Sequence, residues 1–73
     1  MENVVWNLRD YQKAKVFLKI ATEEGYSWND GNNYADDPRW WEFKSETCYN
    51  FWNGEHGSLE MYEAMGFDVI TVE

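Results

Sequence analysis

A single amphipathic helix within residues 7–28 constrains the fold of this chain more than any other feature. Its apolar side chains recur at i, i+3, i+4 and i+7, the spacing of one helix face. They are Ala14, Phe17, Leu18 and Ala21, and we expect Tyr11, Val16 and Ile20 to widen the face. Lysines and glutamates take the opposite side. This pattern predicts a helix that packs its apolar face across a sheet.

Both ends of this helix carry recognisable signals. Asn7 is the predicted N-cap, since its side-chain oxygen can accept from a backbone N–H of the first turn. Asp10, three residues on, can complete a capping box with Asn7 and also lies near the positive end of the helix dipole. Gly25 can adopt the left-handed conformation that closes a helix, and Tyr26 can then pack back on Ala21.

The same order of residues occurs again near the C-terminal end of the sequence. Aligning Gly25 with Gly66 also aligns Tyr26 with Phe67, so each unit has the order helix, glycine, aromatic, strand. The second helix, predicted at residues 58–65 with Ser58 as its cap, is about two turns long. We interpret this as repeated helix-to-strand chemistry and not as a duplication.

The remaining pattern predicts a small α+β domain spanning residues 1–73. It comprises a mixed sheet of about four strands, the long helix on one face and the short helix before the last strand. The predicted strands are residues 1–6, 26–28, 47–52 and 67–72, with a hairpin turn at Asn53-Gly54. A right-handed crossover through the long helix would make the first two strands parallel. The uncovered sheet face is then expected to carry surplus aromatic side chains.

Residues 34–46 allow three interpretations. Asp37-Pro38 can open one helical turn, and residues 39–44 can form a strand with Trp41 and Phe43 on one side. We favour the third, an exposed loop or turn that leads into the strand starting at Thr47.

Charge restricts the partners that this chain can bind. The net charge is −8, from fourteen acidic and six basic residues. Residues 1–22 hold four basic and two acidic side chains, a net charge of +2, whereas residues 23–73 hold two basic and twelve acidic ones, a net charge of −10. Such a balance argues against direct binding to nucleic acid or to a membrane and favours a basic partner. Solubility alone is the plainer explanation of the same charge.

Cysteine usage and hydropathy bear on the compartment. One cysteine, Cys48, excludes an internal disulfide framework, and the sequence has no apolar leader and no apolar run near 20 residues. We therefore expect a mature, cytoplasmic protein.

Three segments together carry a resemblance to a known group. They are Gly-Tyr-Ser-Trp at 25–28, Thr-Cys-Tyr-Asn at 47–50, and Tyr62 followed by Gly-Phe-Asp-Val-Ile at 66–70. With the tryptophan-bearing segment between them, this pattern over residues 16–72 resembles small accessory proteins of bacteriophages and prophages, especially of Gram-positive bacteria. The resemblance implies an accessory phage protein acting in the host cytoplasm, a class that includes anti-CRISPR inhibitors, and it transfers no catalytic residue.

Catalytic and metal-binding patterns are weak. Cys48, Glu55, His56 and Glu60 could be imagined as metal ligands, but they lack a recurrent spacing, and a loop histidine and a core thiol are better readings. Adjacent carboxylates at residues 23–24 and 36–37 do not form a facing pair with a general acid–base role. We expect no enzyme activity, no cofactor and no metal.

Binding is the remaining function class. The candidate site is a set of acidic residues around aromatic anchors, namely Asp30, Asp36, Asp37, Glu42 and Glu46 around Tyr34, Trp40 and Trp41. Tryptophan and tyrosine dominate interface hot spots, and rim carboxylates steer a basic partner. Of Trp40 and Trp41, we expect one in the core and the other as an anchor.

These features favour an inhibitor that blocks the DNA or RNA site of a basic host protein, with carboxylates in place of phosphates. Two alternatives stay open. One is a sponge for a nucleotide signal, in which aromatic rings stack on a base and Arg39 meets phosphate. The other is a structural or regulatory module that forms a homo-oligomer.

Overall fold

The structure, a computed structural model, describes residues 3–72 and contains a four-stranded sheet and two α-helices. In chain order the elements are β1 (Val4–Leu8), α1 (Tyr11–Glu23), β2 (Thr47–Asn50), β3 (Glu55–Ser58), α2 (Leu59–Ala64) and β4 (Asp68–Val72). Two single 3-10 turns, Trp40–Glu42 and Lys44–Glu46, precede β2. This is the predicted α+β class.

The sheet is mixed and has the strand order β3-β2-β1-β4. β1 pairs in parallel with β4, whereas β1–β2 and β2–β3 are antiparallel. The hairpin predicted at Asn53-Gly54 is present between β2 and β3. The strand predicted at residues 26–28 is wrong, because that segment leaves α1 as irregular chain and its Trp28 turns into the core. Its predicted parallel partnership with the first strand is wrong for the same reason.

The first strand ends later than predicted. It runs from Val4 to Leu8, so Asn7 lies in the ladder opposite Cys48 and cannot cap α1. The buried Asn7 amide instead donates to the carbonyl oxygens of Ser45 and Thr47, at 3.1 and 3.0 Å. Asp10 is the N-cap, and its carboxylate accepts from the backbone N–H of Gln12 at 3.1 Å. The predicted positions of Met1 and Glu2 lie outside the described residues.

Both sheet faces are covered, each by one helix. On the α1 face, Leu8 and Tyr49 pack with the buried helix residues and with aromatic side chains from the connecting segments. On the other face, Val5, Cys48 and Tyr62 of α2 form a second, smaller core. The expectation of an uncovered second face is therefore wrong, because the short helix folds back onto it.

Gly57 of β3 lies beneath α2. A Cβ at this position would meet the end of the Met61 side chain and would lie 3.1 Å from the Tyr62 ring. The missing side chain leaves room for both side chains over the β3 backbone.

The apolar face of α1 is narrower than predicted. Ala14, Leu18 and Ala21 are buried, and Phe17 is partly buried. Val16 and Ile20 are 57% and 52% exposed, because at 3.6 residues per turn they project away from the stripe of Ala14, Leu18 and Ala21. The prediction that these two widen the buried face is wrong.

The repeated helix-to-strand signal corresponds to two Schellman motifs. Gly25 N–H donates to Thr22 O and Tyr26 N–H to Ala21 O, at 3.1 and 2.9 Å. The second helix ends with the same pair of bonds, from Gly66 to Glu63 O and from Phe67 to Tyr62 O. Both glycines have positive φ, +96° and +83°, as this motif requires. The predicted stop signals are thus confirmed, and so is Ser58 as the cap of α2.

Candidate partner-binding site

The candidate site lies on the irregular chain between α1 and β2, and Trp28 fixes the start of that chain. The Trp28 ring is buried and meets the Tyr34 ring edge-on, with centroids 4.6 Å apart. Its indole N–H donates to the carbonyl oxygen of Asp37 at 2.6 Å. One tryptophan therefore closes the loop from residue 28 to residue 37 without any strand pairing.

Arg39 closes the same loop from the outside. Its guanidinium lies over the Trp28 ring, 4.3 Å from the centroid, and pairs with Asp30 at 2.8 Å and Asp37 at 2.9 Å. The pKa of Asp30 is lowered, first by the backbone N–H of Asn32 and then by Arg39, and the pKa of Arg39 is raised mainly by Asp30. Two of the five predicted rim carboxylates thus already hold a cation of their own chain.

Trp40 and Trp41 divide between core and surface. Trp40 is 7% exposed, and its indole N–H donates to the carbonyl oxygen of Leu8 at 2.7 Å. Trp41 is 60% exposed. The expectation that one tryptophan is core and the other exposed is confirmed. The sequence could not assign them, because the 3-10 turn decides which indole faces inward.

Trp41 is held by two aromatic neighbours. Its ring centroid is 5.1 Å from that of Trp40, at an interplanar angle of 88°, and 4.9 Å from that of Tyr11. Edge-to-face and tilted contacts at these distances are favourable. The exposed indole is therefore supported from beneath by a buried ring.

Two predicted anchors do not reach the surface. Tyr34 has 0% exposure and packs on Trp28 and Phe51, while Trp40 belongs to the same core. Their side chains cannot contact a partner in this structure, so their assignment as anchors is corrected. The physical reason is that the irregular segment between α1 and β2 packs on the sheet through its own large side chains, which are therefore buried.

The remaining carboxylates are exposed, but only some are unengaged. Glu42 Oε2 lies 2.9 Å from His56 Nε2. Asp36 and Glu46 form no ion pair within residues 3–72. A cation also borders this surface, since Lys15 Nζ lies 4.9 Å from the Tyr11 ring centroid. Of the site predicted from the sequence, the exposed Trp41, Glu42 beside His56, and Asp36 and Glu46, which are unpaired within the described residues, thus remain. How these carboxylates act on a partner remains a prediction.

Residues 34–46 otherwise match the favoured interpretation. They form turns that lead into β2, with 3-10 geometry at residues 40–42 and 44–46. The alternative strand at residues 39–44 is wrong, because Arg39 and Lys44 have positive φ, +55° and +54°, which a strand does not allow. The alternative of a helical turn that opens at Asp37-Pro38 is also wrong, because the 3-10 turn begins at Trp40 and has no side-chain cap.

A second exposed aromatic surface was missed by the sequence reasoning. We call it the aromatic groove; it is lined by Val4, Trp6, Phe17, Ile20, Tyr26, Phe51 and Trp52. It lies between the C-terminal half of α1 and the β2–β3 turn, above the start of β1. The available signal was the pair Phe51-Trp52 placed directly before the Asn53-Gly54 turn, where a hairpin exposes its side chains.

The geometry argues against a metal site at Cys48 and His56 and against a reactive thiol. Cys48 and His56 lie on opposite faces of the sheet, because Cys48 pairs with Gly57 and His56 with Tyr49 in the β2–β3 ladder. Within residues 3–72 no three histidine, cysteine or carboxylate side chains gather in a way that could hold a metal. Burial, followed by Glu63 and Glu46, raises the pKa of the Cys48 thiol to about 11, which disfavours the reactive thiolate.

No helix in the described part of the chain is long and apolar enough to cross a membrane. Comparison of the sequence with protein-family models and curated proteins, and of the fold with solved structures, finds no match.

Proposed function

We propose that this protein binds a basic, nucleic-acid-handling protein of a bacterial host and blocks its DNA or RNA site, as an accessory phage inhibitor would. One observation carries the proposal: an exposed tryptophan, Trp41, packs against two aromatic rings in an acidic stretch of a chain of net charge −8.

Trp41 has the properties of an interface anchor. Burying an indole that is already fixed costs little side-chain entropy, and tryptophan is the residue type most enriched among binding hot spots. The contacts with Trp40 and Tyr11 supply that fixation. A partner would gain apolar contact with the exposed part of the ring without having to order it.

The unpaired carboxylates attract the basic side chains of the partner. Asp36 and Glu46 do not pair within the described residues, so they remain available for a lysine or arginine of the partner. Asp30 and Asp37 are assigned a different role, which is to hold Arg39 on Trp28. Charge mimicry therefore depends on fewer acids than the sequence suggested, assisted by the field of the whole chain.

The experiment is affinity capture of proteins from a lysate of a Gram-positive bacterium by three immobilised forms of the chain. They are the wild type, Trp41→Ala and Met65→Ala. Met65 is the control, because it is also 60% exposed and lies at the end of α2, outside the aromatic groove. Both substitutions remove exposed side chains, so the melting temperature of each should change by less than about 3 °C.

We expect a basic, nucleic-acid-binding protein on wild type and Met65→Ala, with at least about tenfold weaker binding to Trp41→Ala. Equal capture by all three forms would contradict the role of Trp41. Capture of acidic or neutral proteins alone would contradict the proposed class of partner.

The carboxylates are tested by association kinetics with the captured protein. Asp36→Asn with Glu46→Gln should slow association several-fold, because it removes charge within five residues of the anchor in the sequence. Glu23→Gln with Glu63→Gln removes the same charge elsewhere on the exposed surface. An equal effect of the two pairs would assign the attraction to net charge and contradict a local role.

A further inference from the structure

We infer that the aromatic groove is a second docking site, and that its occupant is a basic amphipathic helix of a partner protein. The inference rests on residues distinct from the Trp41 surface and does not need the identity of the host protein proposed above.

The groove is preformed. Its floor is Trp6, whose ring centroid is 6.0 Å from that of Phe17, and Phe51, which stacks on the buried Tyr49 at 5.9 Å with an interplanar angle of 8°. Tyr26 lies 6.4 Å from Phe51 across the groove. An occupant would therefore meet rings that the core already holds in place.

Apolar side chains line the groove and remain open to solvent. Of the residues that line it, Ile20 is 52%, Tyr26 49% and Trp52 60% exposed. Since a large aromatic side chain presents about 150–250 Å², Tyr26 and Trp52 together expose roughly 200 Å², to which Ile20 adds. A patch of that size is at the scale of functional patches on monomers.

This area is too small for a second copy of the chain. A stable interface buries about 800 Å² on each partner, well over twice what the exposed side chains of the groove offer. Two copies of net charge −8 also repel each other. A short peptide segment needs less area, and a basic one is attracted by the same charge.

Two carboxylates lie near the groove. Glu24 lines it at the C-terminal end of α1, where the helix dipole is already negative. Asp68 is exposed and is in register with Val4, so both project from the same sheet face. Lysine or arginine side chains on the flanks of an apolar stripe would complement both.

A helix fits better than a strand. β1, which forms the floor, is already paired with β4 on one side and β2 on the other. Its backbone groups are engaged in these ladders, so a strand could not add to it. A helix satisfies its own backbone and can present a stripe of side chains to the rings.

The probe is a fluorescein-labelled synthetic helix of about 14 residues, with leucine at i, i+3, i+4 and i+7 and lysine at most other positions. Its control has the same composition with the leucines spread around the helix. Binding is measured by fluorescence anisotropy. We expect micromolar affinity for the amphipathic peptide and at least about tenfold weaker binding of the control.

Two matched pairs of variants locate the site. Ile20→Lys and Trp52→Ala should each weaken binding at least about tenfold. Val16→Lys places the same charge one helical turn away, at a residue of similar exposure outside the groove, and Trp41→Ala removes the other exposed anchor. Both controls should change binding by less than about twofold.

Three results would overturn the inference. They are no binding at millimolar protein, equal loss in Val16→Lys and Ile20→Lys, and a dimer of the free protein that Ile20→Lys dissociates in sedimentation. The last would assign the groove to a second copy. Trp41→Ala should leave peptide binding unchanged but should weaken capture of the host protein. The failure of the groove proposal can therefore be distinguished from the failure of the proposed function.

Discussion

At the scale of single residues, polar atoms on large side chains hold the irregular chain in place. Three aromatic side chains donate to main-chain carbonyls at least nine residues away: Trp28 to Asp37, Trp40 to Leu8, and Tyr49 to Pro38. Each ring thus contributes apolar burial and one directed bond. The stretch between α1 and β2 has no strand pairing, so these bonds replace a ladder.

Two buried tyrosines test this account, because only one of them has such a bond. The Tyr49 hydroxyl donates to Pro38 O at 2.8 Å, whereas the buried Tyr34 hydroxyl has no hydrogen-bond partner within residues 3–72. Tyr49→Phe should lower the free energy of unfolding by about 1 kcal/mol, and Tyr34→Phe should leave it unchanged or raise it by up to about 1 kcal/mol. Urea denaturation of both variants measures this, and a larger loss for Tyr34→Phe would contradict the assignment.

Alkaline pH should destabilise the fold. Burial is the main cause that raises the pKa of Cys48 to about 11 and the pKa values of Tyr34 and Tyr62 to about 12. In the unfolded chain these groups lose their protons near pH 8.5 and 10. The folded state then holds more protons, so the free energy of unfolding decreases as pH rises above about 9.

The urea midpoint measured from pH 7 to pH 11 checks this. It should be flat up to about pH 8.5 and then decline, with a shallower decline between pH 9 and 10 for Cys48→Ala. A midpoint that stays constant to pH 11 would be inconsistent with buried, protonated groups.

At the scale of elements, the two Schellman motifs define where both helices end. A Cβ at Gly25 or Gly66 would have no atom within 4 Å, so any cost of substitution comes from the positive φ alone. Gly25→Ala and Gly66→Ala should each destabilise by about 1 kcal/mol, and the matched asparagine variants should cost clearly less. Thermal melts of the four variants measure this. Alanine tolerated as well as asparagine would show that the motif contributes little.

The elements that the sequence predicted well are those specified by neighbouring residues. Gly25, Gly66, Ser58 and the Asn53-Gly54 turn act within one turn of chain, so their signals can be read locally. The prediction of Asn7 as an N-cap failed because the side-chain amide binds the carbonyl oxygens of Ser45 and Thr47, which are distant in sequence. Nothing near Asn7 indicates that β1 continues past it.

The candidate site was predictable only in part, for the same reason. The pair Trp40-Trp41 signalled one buried and one exposed ring, but the choice depends on Leu8, whose carbonyl accepts from Trp40. Likewise, the acidic composition of residues 30–46 was visible, whereas the capture of Asp30 and Asp37 by Arg39 needs the loop closed on Trp28.

At the scale of the whole molecule, exposed apolar rings occupy two separated places on an acidic body. Tyr11, which supports Trp41, begins α1, while Ile20 in the aromatic groove is nine residues on, about 13 Å along the helix axis. The net charge of −8 surrounds both surfaces. Such a molecule is suited to a partner that offers apolar contacts within a positively charged setting.

We propose that this protein recognises a basic protein through charge and Trp41 together. The most direct measurement is the Kd of the purified complex, by calorimetry, across a series of salt concentrations from about 50 to 500 mM, for wild type and Trp41→Ala. We expect Kd to rise steeply with salt in both, with Trp41→Ala weaker by a similar factor at every concentration, because salt screens charges and not apolar contact. A Kd indifferent to salt, or unchanged by Trp41→Ala, would contradict the account.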